Sequence, residues 1–172
     1  MSRIAIIAGQ GALAPAVAAC LDDPLVFALP GFAPDGLTAT TFQLERLVPF
    51  LDDLHAKGVT RVVFAGAIRR PRLDPEAFDP RTAQLVPRIL TAMQSGDDAA
   101  LRTVLDIFEE NDLTVCSVSE IAPDLIPEEG ILTGEPTDAD RRDAGRAARI
   151  LAQTGPLDLG QGAVVAQGLC LA

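Results

Sequence analysis

Short apolar runs alternate with longer amphipathic stretches along the whole chain. Four apolar runs have the length and composition of buried strands: residues 3–8, 25–29, 61–65 and 113–118. Five stretches have the apolar spacing of helices: residues 11–20, 44–57, 82–94, 97–110 and 138–153. This alternation predicts an α/β fold, an open and mostly parallel sheet with helices on both faces.

The C-terminal residues carry a different pattern. Two short apolar strands, 163–166 and 169–171, flank Gln167-Gly168, which predicts a short β-hairpin with a two-residue turn. No internal repeat or flexible linker interrupts the chain, so we expect residues 1–172 to form one domain. Because the sequence stops inside an apolar hairpin, we expect a partial protein; the alternative is a genuine C-terminal edge strand.

Composition and charge narrow the function classes. The formal net charge of −10 disfavours nucleic acid as a partner. The three cysteines, Cys20, Cys116 and Cys170, form no C-x-x-C pair and are predicted to be buried in a cytoplasmic protein. The single histidine, His55, excludes a multi-histidine metal site and is predicted to be structural, near a helix C-terminus.

The first strand runs into a glycine-rich turn. Gly9, Gln10, Gly11 and Ala12, followed by Leu13-Ala14, satisfy G-x-G-x-x-A, a form of the dinucleotide fingerprint. The fingerprint also needs an acidic residue at the end of the second strand, and that strand ends at Leu29-Pro30 instead. Contact with a phosphate or nucleotide and a plain strand–helix turn therefore both remain open for this loop.

An arginine cluster follows another predicted strand. Gly66, Ala67, Ile68 and Arg69 lead into Arg70 and Arg72. Guanidinium groups bind phosphate oxygens in a bidentate manner, so this loop is a candidate anion site. The alternative is a solvated loop whose arginines pair with nearby carboxylates.

Two weaker motifs complete the candidate set. Asp97 and Asp98 either cap the helix that follows or reach a Mg²⁺ ion that bridges phosphates. Gln161 and Gly162 lie in a Gly-Gln-Gly turn before a strand, where a ligand or another domain could approach closely. With one histidine and no G-x-S-x-G, nucleophilic acyl chemistry has no support.

Four stretches in order give the chain a family resemblance. They are IAIIAGQGALAP, VVFAGAIRRP, GDDAALRTVLDIFE and LDLGQGAVVAQGLCLA. Together they resemble the N-terminal part of the bacterial UDP-2,3-diacylglucosamine pyrophosphohydrolases of the lipid A pathway. The type is the alphaproteobacterial one, unrelated to the calcineurin-like enzymes. The resemblance spans essentially the whole chain.

The resemblance implies a two-domain enzyme that holds its substrate between domains. Residues 1–172 would be its Rossmann-like N-terminal substrate-binding domain. With Mg²⁺, water would attack the α-phosphate, giving UMP and 2,3-diacylglucosamine 1-phosphate. The catalytic aspartate would lie in a C-terminal catalytic domain absent from this chain, so we expect the chain alone to be inactive. The residues proposed to contact substrate are Gly9, Gln10, Gly11, Ala12, Gly66, Ala67, Ile68 and Arg69, with Asp97, Asp98, Gln161 and Gly162 as weaker candidates.

Alternative functions remain open. One is a non-catalytic module that binds a nucleotide or sugar nucleotide. Another is an interaction domain whose final hairpin pairs with a second chain, giving a homodimer. For the enzyme, we expect a cytoplasmic location, with peripheral membrane contact through the lipid substrate at the inner face.

Overall fold

The computed structural model describes residues 3–69, 73–157 and 159–172, with only the backbone of Ser95 and Asp97. These residues form two compact units. The first comprises the described residues up to Ser95 together with Ala99–Ile126, and the second comprises Gly96–Asp98 together with Pro127–Ala172. The sequence pattern predicts one domain instead, because only a proline-containing loop marks the boundary near Ile126.

The first unit carries the strands and helices of an α/β domain. In chain order these are β1 (Arg3–Ala8), α1 (Leu13–Ala18), β2 (Leu25–Ala28), β3 (Thr40–Thr41), α2 (Leu47–Ala56), β4 (Val59–Ala65), α3 (Pro80–Ala83), α4 (Val86–Ser95), α5 (Asp97–Glu109), β5 (Thr114–Cys116) and α6 (Val118–Ile121). Helix α5 starts in residues assigned to the second unit. Single 3₁₀ turns cover Leu44–Arg46 and Pro123–Leu125.

The sheet confirms the predicted α/β class. Its order is β3-β2-β1-β4-β5, and all neighbouring strands are parallel. The chain therefore builds one side of the sheet from β1 outward, and then returns to the other side of β1. In sheets of this type, ligands bind where the order reverses, beyond the carboxyl ends of the strands. Here that point lies between β1 and β4.

Alternate residues of β1 pack into two hydrophobic cores, one on each face of the sheet. Ala5 and Ile7 join Leu51, Leu54 and Phe108, in the core that holds α2 and α5. Ile6 and Ala8 join a second core with Ala14 and Val17 of α1. Helices thus cover both faces of the sheet, as the strand pattern predicts.

The phenylalanines build much of the first core. Phe42 stacks on Phe50 with ring centroids 4.0 Å apart, and Phe27 meets Phe50 edge-on at 5.1 Å. Phe64 meets Phe108 edge-on, also at 5.1 Å. These five rings are therefore used in core packing.

The middle helices differ from the prediction in their boundaries. The pattern predicts one helix over 82–94, whereas the structure has α3, ending at Ala83, and α4, beginning at Val86. Prolines explain the division, because Pro80 and Pro87 each lie in the first turn of a helix, where a missing N–H is tolerated. Asp79 caps α3 by accepting hydrogen bonds from the N–H groups of Arg81 and Thr82.

The second unit contains one long helix and the predicted hairpin. Helix α7 (Asp138–Thr154) is followed by a 3₁₀ turn (Gly155–Leu157) and by β6 (Val165–Ala166) and β7 (Leu169–Cys170). Thr137 and Asp140 form a capping box, and the hydroxyl and backbone N–H of Thr137 lower the pKa of the Asp140 carboxyl.

The hairpin turn has the expected geometry. Gln167 and Gly168 both have positive φ, 50° and 76°, as a type I′ turn requires. The Gly168 N–H donates to the Asp143 carboxylate at 2.9 Å, which ties the hairpin to α7. Val164, Leu169 and Leu171, in and beside the hairpin, are exposed.

No helix among the described residues combines the length and the apolar character needed to cross a membrane.

Candidate functional site at the carboxyl edge of the sheet

The loops after β1 and β4 are joined backbone to backbone. The Gln10 N–H donates to the Ala67 carbonyl, and the Ala67 N–H donates to the Gln10 carbonyl, both at 2.9 Å. This antiparallel bridge is preceded by a bond from the Gly9 N–H to the Ala65 carbonyl at 2.8 Å. The structure therefore brings together, at the reversal point of the sheet, the two loops that the sequence nominates separately.

This backbone bridge explains why positions 9 and 66 are glycines. A Cβ on Gly9 would lie 2.6 Å from the Ala67 carbonyl oxygen, and a Cβ on Gly66 would lie 2.5 Å from the Gly9 carbonyl oxygen. Gly66 also has φ of 105°, which side chains of L-residues rarely allow. Gly9 and Gly66 are thus required by the approach of the two loops to each other.

Gly11 has a different role. Its φ is 96°, yet a Cβ at this position would meet nothing within 4 Å. Open space and a left-handed backbone are what a loop needs if a ligand is to approach it closely. Gly11 and Ala12 are exposed, as are Ile68 and Arg69 after the second glycine loop. Arg70 and Arg72, the other members of the predicted arginine cluster, lie outside the described residues.

The bridge also limits which N–H groups can hold a phosphate. Those of Gly9, Gln10 and Ala67 are already bonded within the protein. Helix α1 offers few more, because its third residue is Pro15 and it spans only six residues. The candidate anion contacts whose N–H groups are not used by the bridge are therefore Gly11 and Ala12 on one side and Gly66, Ile68 and Arg69 on the other.

A further contact at this edge escapes sequence inspection. The Gln10 side-chain amide donates to the Gly31 carbonyl at 3.2 Å, in the segment that follows β2. Since β2, β1 and β4 are adjacent, Gln10 touches the loops of three neighbouring strands. The sequence marks residues 30–41 only as a glycine- and proline-rich loop, so nothing in it indicates this contact.

The loop after β5 forms a local network of its own. Ser117 caps α6, and its N–H and hydroxyl both donate to Glu120, at 2.6 and 3.0 Å. Those hydrogen bonds, with a smaller contribution from the positive charge of Arg61, lower the pKa of the Glu120 carboxyl. Glu120 is therefore a structural carboxylate that holds this loop in place.

The weaker candidates belong to the second unit. Asp97 and Asp98 are the first two residues of α5, where acidic residues complement the helix dipole. Gln161 and Gly162 lie in the irregular segment before β6, in the second unit. Neither pair is among the residues that the glycine-loop bridge brings together, and their contact with a ligand stays a prediction.

Cysteine and histidine positions test the structural predictions. Cys116 is buried as expected and accepts a hydrogen bond from Arg61 Nε at 3.1 Å. The predicted burial of Cys20 and Cys170 is wrong, because Cys20 follows the end of α1 and Cys170 lies on the exposed hairpin. His55 Nε2 lies 2.8 Å from the Asn111 carbonyl oxygen, so this histidine joins the end of α2 to the turn after α5.

The described residues contain no group of three His, Cys, Asp or Glu side chains able to hold a metal ion.

Comparison with known proteins then decides the family. The model of the LpxI N-terminal domain matches residues 3–125, nearly the whole of the first unit. The chain belongs to the LpxI family. The model of the LpxI C-terminal domain matches residues 128–172, so the family's domain boundary coincides with the boundary between the two units.

A curated relative agrees with this assignment. The UDP-2,3-diacylglucosamine pyrophosphatase LpxI of Caulobacter vibrioides is 32% identical over 180 residues. The alignment covers all of this chain and 64% of the relative, so the chain spans slightly less than two thirds of that protein's length. The resemblance stated from the sequence is thereby confirmed at the level of the family.

Proposed function

We propose that this chain supplies the nucleotide-binding part of an enzyme that hydrolyses the pyrophosphate of UDP-2,3-diacylglucosamine. The products would be UMP and 2,3-diacylglucosamine 1-phosphate, within lipid A biosynthesis. The observation that carries the proposal is the meeting of the Gly9–Ala12 and Gly66–Arg69 loops at the reversal point of the sheet. Membership of the LpxI family, together with what the Caulobacter relative is named for, supports the choice of substrate.

In this proposal, the chain binds the substrate and orients its diphosphate. Pyrophosphate hydrolysis needs the diphosphate to be fixed and its charge to be neutralised while water attacks phosphorus. The open backbone at Gly11 would let the substrate approach closely, and the exposed Arg69 guanidinium would contact phosphate oxygens. Because Gly9 and Gly66 lock the two loops together, both contacts would be presented in fixed register.

The proposal also includes a cofactor, a cellular location and an oligomeric state. Mg²⁺ would neutralise charge on the substrate phosphates, with ligands supplied largely by those phosphates and by water. Asp97, Asp98, Gln161 and Gly162 would contribute secondary contacts. We propose a cytoplasmic enzyme that meets the inner membrane face through its lipid substrate, with the hairpin as the contact of a homodimer. The catalytic carboxylate would lie in the part of the family's length that this chain does not span.

An activity assay tests the proposal. UMP release from UDP-2,3-diacylglucosamine with Mg²⁺ would be measured for this chain and for the chain extended by the corresponding C-terminal segment of the Caulobacter relative. We expect UMP from the extended protein and none from the chain alone. A folded extended protein that releases no UMP contradicts the proposed function. UMP release by the chain alone contradicts the assignment of the catalytic residue to the missing segment.

A further inference from the structure

Gln10 makes contacts in two directions at the carboxyl edge of the sheet. Its backbone N–H and carbonyl are both bonded to Ala67, on the loop after β4. Its side-chain amide reaches the other way and donates to the Gly31 carbonyl, after β2. One residue of the first glycine loop thus connects the loops of all three central strands.

The segment that Gln10 reaches is anchored at both ends. Phe32 packs against the core beneath one face of the sheet, while Leu37 and Ala39 pack against the core beneath the other. Between these anchors, Asp35 and Gly36 are exposed. Residues 30–39 therefore form a strap over the end of β2, with its apolar side chains held and its tip facing solvent.

The bond between Gln10 and Gly31 lies on the surface, where a hydrogen bond adds little to the stability of the fold. Its consequence is geometric, because it links the strap directly to the first glycine loop. A ligand that extends from the junction of β1 and β4 across the end of β1 would reach the strap, because β2 is the next strand beyond β1.

We infer that residues 30–39 are a third wall of the nucleotide site, and that Gln10 is the positioning residue that couples this wall to the two glycine loops. The inference rests on the proposed function, since it concerns the same site. It predicts that a uridine nucleotide orders all three segments together, and that without the Gln10 amide the nucleotide binds without ordering the strap.

Hydrogen exchange with and without UDP tests this directly. In the unmodified chain we expect UDP to slow exchange in peptides covering 9–12, 30–39 and 66–69. Protection of the glycine loops without protection of 30–39 would overturn the inference and leave the proposed function standing. Failure of UDP to bind at all, measured by calorimetry, would remove the proposed function and this inference together.

Two variants isolate the amide. Gln10→Glu keeps the side-chain length, but its ionised carboxylate cannot donate to the Gly31 carbonyl. Gln10→Ala removes the side chain altogether. For both we expect UDP affinity to fall by about tenfold and the protection of 30–39 to disappear, while 66–69 stays protected. Wild-type affinity and strap protection in Gln10→Glu would show that the amide positions nothing.

A matched control is available in the same unit. Gln43 is also an exposed glutamine, and its side chain makes no capping bond to the helical turn that follows it. Gln43→Ala should leave UDP affinity and the exchange pattern unchanged. If Gln10→Ala fails to fold, the exchange of the unmodified chain and the Gln10→Glu result still decide the question.

Discussion

A Cβ placed on Gly66 would lie 2.5 Å from the carbonyl oxygen of Gly9. The two glycines lie at the ends of the two strands between which the strand order reverses, and a Cβ on either of them would clash with the backbone of the facing loop. The primary role of the glycine-rich turn after β1 is therefore to let the loops after β1 and β4 join. The surface that this junction presents is what a ligand would meet.

The first prediction is an ordered series of glycine substitutions. Gly66→Ala adds both a backbone clash and an unfavourable φ, and we expect it to lower the free energy of unfolding by roughly 3 kcal/mol or more. Gly11→Ala adds only the unfavourable φ, which should cost about 1 kcal/mol. Gly162 has neither feature, so Gly162→Ala should change stability by no more than about 0.5 kcal/mol. Urea denaturation measures the three; a Gly66→Ala protein as stable as Gly162→Ala would refute the junction.

The second prediction separates the ligand-facing glycine from the structural pair. Gly11→Val places a branched side chain in the open space beside the loop, where we propose that the substrate approaches. We expect the protein to remain folded and its UDP affinity to fall at least tenfold, equivalent to about 1.4 kcal/mol. Calorimetry measures the affinity and circular dichroism the fold. Unchanged affinity in a folded protein would remove this loop from the site.

The third prediction concerns the loop after β5. The hydrogen bonds from Ser117 lower the folded-state pKa of Glu120 below its ordinary value of 4.5. The carboxylate therefore stabilises the fold above the unfolded-state pKa, and this contribution is lost as the pH falls through the folded-state pKa. Glu120→Gln should be less stable than the unmodified chain at pH 7, and the difference should shrink as the pH falls below 4.5 through the folded-state pKa.

Unfolding midpoints at a series of pH values check this behaviour. Glu128→Gln is the control, since Glu128 is an exposed glutamate outside any helix. It should follow the unmodified chain at every pH. A Glu120→Gln difference that stays constant down to pH 3 would mean that the charge of Glu120 is not what holds α6.

The fourth prediction uses the three thiols. Cys20 and Cys170 are exposed, whereas Cys116 is buried and bonded to Arg61. An aromatic disulfide reagent should label two thiols rapidly in the folded chain and the third only after denaturation. Cys116→Ser should keep both rapid reactions. Three rapid reactions, or one, would contradict the described packing of β5 or of the hairpin.

The sequence predicts secondary structure correctly where the residues that determine it are neighbours in the chain. The apolar run of β1 and the Gln167-Gly168 turn each fix their own structure, the first through burial on both faces and the second through the positive φ of both turn residues. The break between α3 and α4 was also available locally, because Pro87 can only stand in a first turn. The apolar spacing alone does not show this break, and it predicts one helix over 82–94.

The sequence does not predict the contacts between loops, because these contacts join residues that are distant in the chain. The G-x-G turn and the glycine after β4 are more than fifty residues apart, and each alone fits a plain turn. Only the parallel pairing of β1 with β4 makes them neighbours. The same holds for the bond from Gln10 to Gly31, which depends on a side chain crossing from one strand end to the next.

Calorimetric titration of the unmodified chain with UDP and, separately, with NAD tests the central claim most directly. The central claim is that the joined glycine loops hold a uridine nucleotide. We predict that UDP binds with one site per chain and that NAD, which would need an acidic residue at the end of β2, gives no measurable heat of binding. Binding of NAD without binding of UDP would contradict the account.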